Sequence, residues 1–280
     1  MTTTATTHTL DDGTTVPLVG FGTYPLTGEE GVEAMVSALH AGYRYLDTAV
    51  NYENEEEVGE ALRRSDVPRE EVTVATKIPG RFHGRDLALR SLEDSARRLG
   101  VERIDVGLIH WPNPSQGLFP QAWQALVEAQ REGLVRTVGV SNFTEQHLTR
   151  VIEETGVTPA LNQVELHPLF PQDEMRAVHA RLGILTQAWS PLGKRQAPFE
   201  EPAVAAAATA HDVTPGQVVL RWHVQLGSMP LPKSATPERQ RQNLDVAGFS
   251  LTDEEMAAIG GLARSDGRLF GGDPDTHEEM

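Results

Sequence analysis

The chain has 280 residues, 39% of them hydrophobic, with 24 basic and 40 acidic side chains for a net charge of −16. That balance argues against nucleic acid as a main partner, which needs a basic surface, and against an anionic membrane surface. With no cysteine, the chain has no disulfide, thiolate nucleophile, cysteine-held zinc or iron–sulfur cluster.

No run approaches the ~20 apolar residues that a membrane helix needs. The threonine-rich start lacks the charged-then-apolar layout of a signal peptide, so the cytoplasm is the expected compartment. At ~150 residues per domain the length allows two, but α/β barrels fill ~250 as one. No linker or low-complexity tract divides the chain. Residues 1–280 are therefore expected to form one domain, working as a monomer.

In chain order, His8-Thr9-Leu10 and Thr14-Thr15-Val16 flank Asp12-Gly13 and predict a short hairpin. Eight apolar, β-branched runs follow as predicted strands: 16–19, 43–46, 72–75, 104–109, 135–140, 160–164, 184–188 and 229–231. Their starts lie about 24 to 32 residues apart except for a longer last interval, the length of a strand, a helix and two loops. Between them Val32, Met35, Val36 and Leu39 fall at i, i+3, i+4, i+7, as do Leu148, Val151, Ile152 and Thr155. That spacing marks helices packed on a sheet by one stripe. Thr144 before Glu145-Gln146, and Thr252 three residues before Glu255, are helix starts. The last interval holds two helical stretches, near 201–211 and 215–226, one of them an addition to the basic unit. A further helix is predicted near 253–262. Residues 1–7 and 271–280 are expected to be mobile.

Eight strands alternating with helices predict an α/β fold, a single (β/α)₈ TIM barrel with an N-terminal hairpin plugging its bottom and extra C-terminal helices. A doubly wound sheet is the competing architecture. In barrel enzymes the site lies at the C-terminal ends of the strands. The polar residues ending the runs are Gly22-Thr23-Tyr24, then Asp47 with Asn51 and Tyr52, Lys77, His110-Trp111, Ser141-Asn142, Gln163, Trp189-Ser190 and Lys233-Ser234.

Acid, base, phenol and imidazole converge there. Lys77 beside the Tyr52 phenol is expected to lower its pKa from ~10, with Asp47 holding Lys77 charged. Tyr52 then passes a proton by general acid catalysis while His110 orients a substrate oxygen. The set suits carbonyl reduction, in which hydride reaches carbon and a proton reaches oxygen. The hydride carrier needs a site, yet Gly20-Phe21-Gly22 is followed by Pro25, so no dinucleotide fingerprint is completed. Instead, Thr236 and Pro237 open a helix, preceded by Lys233 and Ser234, with Arg239 in its first turn. This is a phosphate site.

These residues resemble the aldo-keto reductase family. The resemblance rests on Gly42-Tyr43-Arg44-Tyr45-Leu46-Asp47-Thr48-Ala49 with Tyr52, on Lys77, and on His110-Trp111-Pro112. Gly139-Val140-Ser141-Asn142-Phe143, Asn162-Gln163, Ser190-Pro191-Leu192-Gly193 and Leu231 to Arg239 extend it. It runs from about Leu18 to the end, and its motifs are several and in order. It implies a barrel that reduces aldehydes and ketones with NADPH and no metal, with Tyr52 as proton donor and Asp47, Lys77 and His110 completing a tetrad. It further implies that Ser141, Asn142 and Gln163 hold the nicotinamide carboxamide, that Trp189 stacks on the ring, and that Lys233, Ser234, Thr236 and Arg239 take the 2′-phosphate. Gln242 and Asn243 would lie near adenine. Gly22, Thr23, Ser190, Leu192 and Gly193 complete the cofactor site.

Three positions depart from the family pattern: Tyr45 is unusual before the catalytic strand end, Gln242 stands where Glu is common, and Pro79 replaces an aromatic. The short loop from Asn113 to Pro120 resembles the bacterial branch of 2,5-diketo-D-gluconate reductases and related broad carbonyl reductases. The substrate is then a small carbonyl compound, an α-dicarbonyl or keto-sugar, in an open pocket lined by Tyr24, Asn51, Trp111 and Phe270.

Blander readings stand beside these. Glu165 and His167 have metal-ligand spacing but no third partner. Trp123 on a helical stripe is core. Glu53 to Glu57 is a solvated helix start, and Lys194-Arg195 is either an exposed loop pair or a clasp over the cofactor pyrophosphate. A barrel aldolase using Lys77 or Lys233 as a Schiff base is the catalytic alternative. A non-catalytic cofactor-binding subunit is the other, and an intact tetrad argues against it.

Overall fold

The structure, a computed structural model, describes residues 7–280. The expected mobility of residues 1–6 lies outside the described residues. Thr7 belongs to strand β1 (Thr7–Thr9), which pairs antiparallel with β2 (Thr15–Pro17), Thr7 opposite Pro17. The turn closes by Thr14 N donating to Asp12 Oδ1 at 2.8 Å, and Thr137 Oγ1 donates to Asp12 Oδ2 at 2.7 Å. Leu10 and Val16 pack among Tyr45, Val106, Leu108, Leu161 and Met229, the side chains that fill the barrel interior. The hairpin therefore plugs the barrel as expected.

Eight parallel strands follow: β3 (Phe21–Gly22), β4 (Tyr45–Asp47), β5 (Thr73–Ile78), β6 (Ile104–Ile109), β7 (Val135–Ser141), β8 (Leu161–Glu165), β9 (Leu185–Trp189) and β10 (Met229–Pro230). Each pairs with its neighbour in sequence order. Gly20 N donates to Pro230 O at 3.0 Å and Gly22 N to Pro232 O at 3.1 Å, which joins the first strand to the last. The sheet is thus closed. One expectation is corrected here. The run 16–19 is not the first barrel strand, because Val16 is spent in the hairpin and the barrel begins at Phe21. Gly20 sits where a Cβ would lie 2.6 Å from the Leu231 side chain, so the closing seam needs glycine.

The helices are α1 (Gly28–Ala41), α2 (Glu55–Arg64), α3 (Arg85–Leu99), α4 (Phe119–Glu132), α5 (Glu145–Thr155), α6 (Asp173–Leu182), α7 (Pro202–His211), α8 (Pro215–Gln225), α9 (Pro237–Leu244) and α10 (Asp253–Gly260). Met35 and Leu39 on α1 are fully buried against Phe21, Leu46 and Val74, each burial contributing ~1.5–3 kcal/mol. Trp123 on α4 is core, as expected. α8 packs on β10, and α7 packs on α8 and α10 outside it, so α7 is the added helix. Thr252 and Glu255 form the expected capping box, whereas Thr144 is capped with His147. Glu55 departs from the solvated reading. It is buried, paired with Arg98, and accepts from Thr76 Oγ1 at 2.5 Å, because α2 turns its first residue inward.

The tail departs most. Residues 271–280 lie against the barrel mouth rather than free of it: Ser115 N donates to Glu278 Oε1 at 2.8 Å, and Trp111 packs on His277 with centroids 4.1 Å apart and the rings tilted by 48°. Among the described residues no helix is long and apolar enough to cross a membrane.

Candidate active site

A cavity of about 1180 Å³ opens at the C-terminal ends of the strands. Its walls include Gly22, Asp47, Tyr52, His110, Asn142, Gln163, Trp189, Lys233, Arg239 and Phe270. Most of the expected strand-end residues therefore line one cavity, whereas Lys77, Ser141 and Ser234 are buried and are not part of its wall. Closing the barrel at β3 and β10 brings Gly22 and Lys233, far apart in the chain, to the same wall.

Asp47 ends β4 and Lys77 lies near the end of the adjacent β5. Both side chains point inward and are almost fully buried. Lys77 Nζ donates to Asp47 Oδ1 and Oδ2 at 2.9 and 2.8 Å, to Thr48 O at 2.8 Å, and reaches Tyr52 Oη at 3.4 Å. A buried charge needs this degree of pairing. Tyr52 ends a short 3₁₀ turn, Val50–Tyr52, behind which Asn54 is buried and donates to Leu26 O at 2.8 Å. Its ring lies between those of Tyr24 and His110, at 5.1 and 5.7 Å.

The pKa expectation is reversed. Burial, and then the charge of Asp47, hold the Tyr52 phenol well above its usual value, with Glu279 and Tyr24 adding to the shift. Lys77 does not offset this, because its charge is already neutralised by Asp47. Burial lowers the Lys77 ammonium in turn, opposed by Asp47. The phenol is therefore a protonated donor at neutral pH.

His110 caps β6, its N–H donating to Ile78 O at 2.9 Å. Its ring is held on the inner side by the tail, with Nδ1 3.0 Å from Glu279 Oε1. Sequence reasoning missed this contact. Glu279 lies 169 positions from His110, and a Glu in a run of polar residues at the chain end carries no local signal of burial.

Gln163 Nε2 donates to Asp47 Oδ1 at 2.7 Å and to Gln187 Oε1 at 3.1 Å, while Gln187 Nε2 donates to Tyr45 Oη at 2.8 Å. This chain accounts for the unusual Tyr45. The phenol lies in the barrel interior and is satisfied by Gln187. Asn142, in the left-handed region, donates to His110 O and Ser141 Oγ, both at 3.0 Å. Its Oδ1 accepts from Trp189 Nε1 at 2.8 Å, fixing the indole. Phe270 stacks on that indole at 6.1 Å. Thr23 Oγ1 donates to Asp47 O at 2.9 Å, and Gly22 lies against Leu231 O, where a Cβ would be at 3.0 Å. Ser190 and Gly193 both take positive φ to turn the chain after β9, with Leu192 between them.

At the other end of the cavity the sequence Lys233 to Arg239 enters α9. Lys233, Thr236 and Arg239 are exposed there. Ser234 differs from expectation. It is buried, accepting from Thr236 N at 3.0 Å and donating to Thr236 O at 3.2 Å, so its hydroxyl shapes the turn. Gln242 is half-buried and Asn243 buried on the next turn. Lys194 is not a plain surface residue, as its Nζ lies 4.6 Å from the Phe270 ring and 5.6 Å from that of Tyr24. Asn51 Nδ2 donates to Met280 O at 3.2 Å. Glu165 and His167 pair with each other at 3.1 Å, and among the described residues no group of side chains is arranged to hold a metal ion.

Comparison with known proteins gives four findings. The aldo/keto reductase family model matches residues 18–264. The 2,5-diketo-D-gluconic acid reductase B of Corynebacterium sp. (strain SHS752001) is 58% identical over 274 residues, covering 98% of each chain. Methylglyoxal reductase DkgA of Escherichia coli (strain K12) is 41% identical, covering 95% of this chain and 96% of that one. Among solved structures, a mutant of Gox0644 in complex with NADPH superposes with a TM-score of 0.93 at 42% identity, covering 98% of each chain.

Proposed function

The chain belongs to the aldo/keto reductase family, and on that premise we propose that it reduces aldehydes and ketones to alcohols with NADPH, Tyr52 donating the proton. The observation that carries this reading is the placement of the Tyr52 phenol, backed by the buried Lys77–Asp47 pair, in one cavity with the cationic entry to α9.

NADPH, when bound, supplies the hydride. Lys233, Thr236 and Arg239 would hold its 2′-phosphate at the α9 N-terminus, where backbone N–H groups face an anion. Gln242 and Asn243 would lie near adenine. Ser141, Asn142 and Gln163 would hold the carboxamide and Trp189 would stack on the nicotinamide ring. Gly22, Thr23, Ser190, Leu192 and Gly193 would wall the same channel. A cavity of about 1180 Å³ has room for cofactor and substrate together. Ser234 contributes through its turn rather than its hydroxyl.

At the other end His110 orients the carbonyl oxygen and Tyr52 gives it a proton. Lys77 keeps the phenol in place and donates a hydrogen bond to the oxygen left charged on it, while Asp47 holds Lys77 in position. The Schiff-base alternative is disfavoured. Lys77 Nζ is buried behind Tyr52 and donates to Asp47 and to Thr48 O, so its amine is not free to attack a carbonyl, and Lys233 stands at the end proposed for the cofactor phosphates, away from Tyr52 and His110.

The relatives named for reduction of a diketo sugar acid and of methylglyoxal support a range of α-dicarbonyl and keto-sugar substrates. Tyr24, Asn51, Trp111 and Phe270 would face them. The chain is read as one domain over residues 1–280, a cytoplasmic monomer without a nucleic-acid or membrane partner.

The test is loss of NADPH absorbance with a panel of aldehydes and α-diketones, for the parent and for Tyr52→Phe. General acid catalysis contributes ~10²–10⁴-fold, so the variant should lose at least ~10²-fold in turnover while NADPH still quenches tryptophan fluorescence. Turnover within about tenfold of the parent overturns the assignment.

A further inference from the structure

At the substrate end of the cavity lies one carboxylate for which the reduction has no use. Glu279 lines the pocket, with Oε1 3.0 Å from His110 Nδ1. Its other oxygen is buried with no hydrogen-bond partner, and so are Asn113 Oδ1, both ring nitrogens of His83 and His110 Nδ1 itself, whose approach to Oε1 is a contact without hydrogen-bond geometry. The chain is brought there deliberately. Asn113 Nδ2 donates to Glu279 O, while Asn51 Nδ2 and Arg81 Nη1 donate to Met280 O at 3.2 and 2.9 Å. The backbone passes so close to Gly80 that a Cβ there would lie 2.3 Å from Glu279 O.

Of the other charges around the cavity, Lys194 stands nearest the substrate-facing rings, its Nζ 4.6 Å from that of Phe270 and 5.6 Å from that of Tyr24, and opposes this one in part. Asp47 and Lys77 neutralise each other. Lys194, Arg195, Lys233 and Arg239 line the cavity too, and Lys233 and Arg239 belong to the end proposed for the cofactor phosphates. Arg81 stands at the exposed rim, tied to Asn51 and to Met280 O. Burial pushes the Glu279 carboxyl up, but His110, Asn51 and Lys77 together bring it below the usual carboxylate range.

We propose that Glu279 is a specificity-determining residue: its carboxylate, seated on His110, places a negative charge at the substrate end and disfavours carbonyl compounds that carry their own carboxylate. Neutral dicarbonyls enter against the docked tail, while an acid must bear the repulsion or displace the tail. The inference rests on the carbonyl reduction proposed above. It bears on how the chain would treat a keto acid as against a neutral dicarbonyl.

At ~8 Å and an effective dielectric between those of a protein surface and water, one like charge changes affinity by roughly five- to thirtyfold. The experiment measures kcat/KM at saturating NADPH for succinic semialdehyde and for butanal, which share chain length and aldehyde and differ by one carboxylate. Glu279→Gln should raise the acid-to-neutral ratio by roughly tenfold. Added salt should raise the parent's rate on the acid but not on butanal, and should lose that effect in the variant. A deletion of residues 278–280 should reach the same ratio.

A ratio within about twofold of the parent in Glu279→Gln overturns the proposal, as does a deletion that speeds both substrates equally, which would make the tail a steric lid only. Should the variant fail to fold, the parent's salt response decides: equal salt dependence for the two aldehydes overturns the charge effect. Absence of NADPH oxidation with either aldehyde and with the wider carbonyl panel instead strikes the proposed reduction, and this inference with it.

Discussion

Two carboxylates reach the barrel mouth by different routes. Asp47 is carried in by strand β4. Both its oxygens accept from Lys77, one of them also from Gln163, and its main-chain oxygen accepts from Thr23. Glu279 is carried in by the tail. One oxygen faces His110 and the other faces no donor, in a neighbourhood of further unpartnered polar atoms on His83 and Asn113. A strand fixes its side chain's direction by the pleat and supplies neighbours at set spacing, so Lys77, two residues beyond the Ala75 that pairs with Asp47 on β5, and Gln163 on the more distant β8 both point inward to meet it. A tail laid over a finished surface meets whatever donors the surface already shows. Buried polar groups left unpaired are costly, so the tail-borne carboxylate is the weaker and more exchangeable of the two.

The sharpest way to break this comparison is to take Lys77 from Asp47. In Lys77→Met the Asp47 carboxylate stays buried with only Gln163 and no cation. Removing one partner of a buried pair costs ~3–5 kcal/mol. Urea unfolding followed by circular dichroism should show a loss of that size, and carbonyl reduction should vanish with it. A loss below about 1 kcal/mol would put Asp47 in the class of a surface ion pair and erase the distinction.

The barrel half of the site was legible in the sequence for the reason that makes it rigid. Asp47, Lys77 and His110 each end an apolar run, and the run itself fixes which face the end residue joins. Tyr52 was legible because it follows Asp47 by a single short turn. What escaped depends on long-range packing. Nothing local to Gln163 says that its amide meets Asp47, or that Ser234 closes its own turn. The direction of the Tyr52 pKa escaped as well. The sequence shows a lysine near a phenol, whereas the fold spends that lysine on Asp47 and surrounds the phenol with protein. Glu55 and Glu279 were missed alike, since a glutamate in an acidic run has the same local pattern whether Arg98, His110 or water receives it.

Acid sharpens the comparison at intermediate cost. On the barrel side His179 is pushed down to about 4 and His223 to about 3, both by burial. Asn162 Nδ2 donates to His179 Nε2 at 2.9 Å, so that nitrogen must accept and the ring must be neutral. On the tail side burial also brings His83 to about 4, against the pull of Glu279 and Glu278. In each case the folded pKa lies below the unfolded value near 6.5, so the unfolded chain binds more protons in acid. The stabilisation is present above pH 6.5 and is lost as the pH falls from there towards 4. Between pH 7 and 5 each imidazole held near 4 should cost ~1.5–2 kcal/mol of unfolding free energy. Urea melts at the two values measure it. His179→Gln should flatten the response by about that amount, and an unchanged slope would show that His179 is not held neutral.

The smallest effect is expected where the tail carboxylate itself is removed. Glu279→Ala deletes one contact to His110, but it also deletes an oxygen that is buried without a partner, and the two changes oppose each other. The side chain is one-fifth exposed, so its attraction to His110 is partly screened. Its folded pKa lies below the ordinary value of 4.5, so the stabilisation exists above that pH and fades as the pH falls through the lower folded value. The rest of the tail keeps its bonds from Asn51, Arg81, Asn113 and Ser115. At neutral pH the change in global unfolding free energy should therefore stay within ~1 kcal/mol, against the ~3–5 expected for Lys77→Met. Local stability should respond more than global. Amides of residues 277–280 should exchange faster with deuterium, and Trp111 fluorescence should shift as its ring contact with His277 loosens. A global loss of 3 kcal/mol or more would mean that Glu279 is built into the barrel as firmly as Asp47 is.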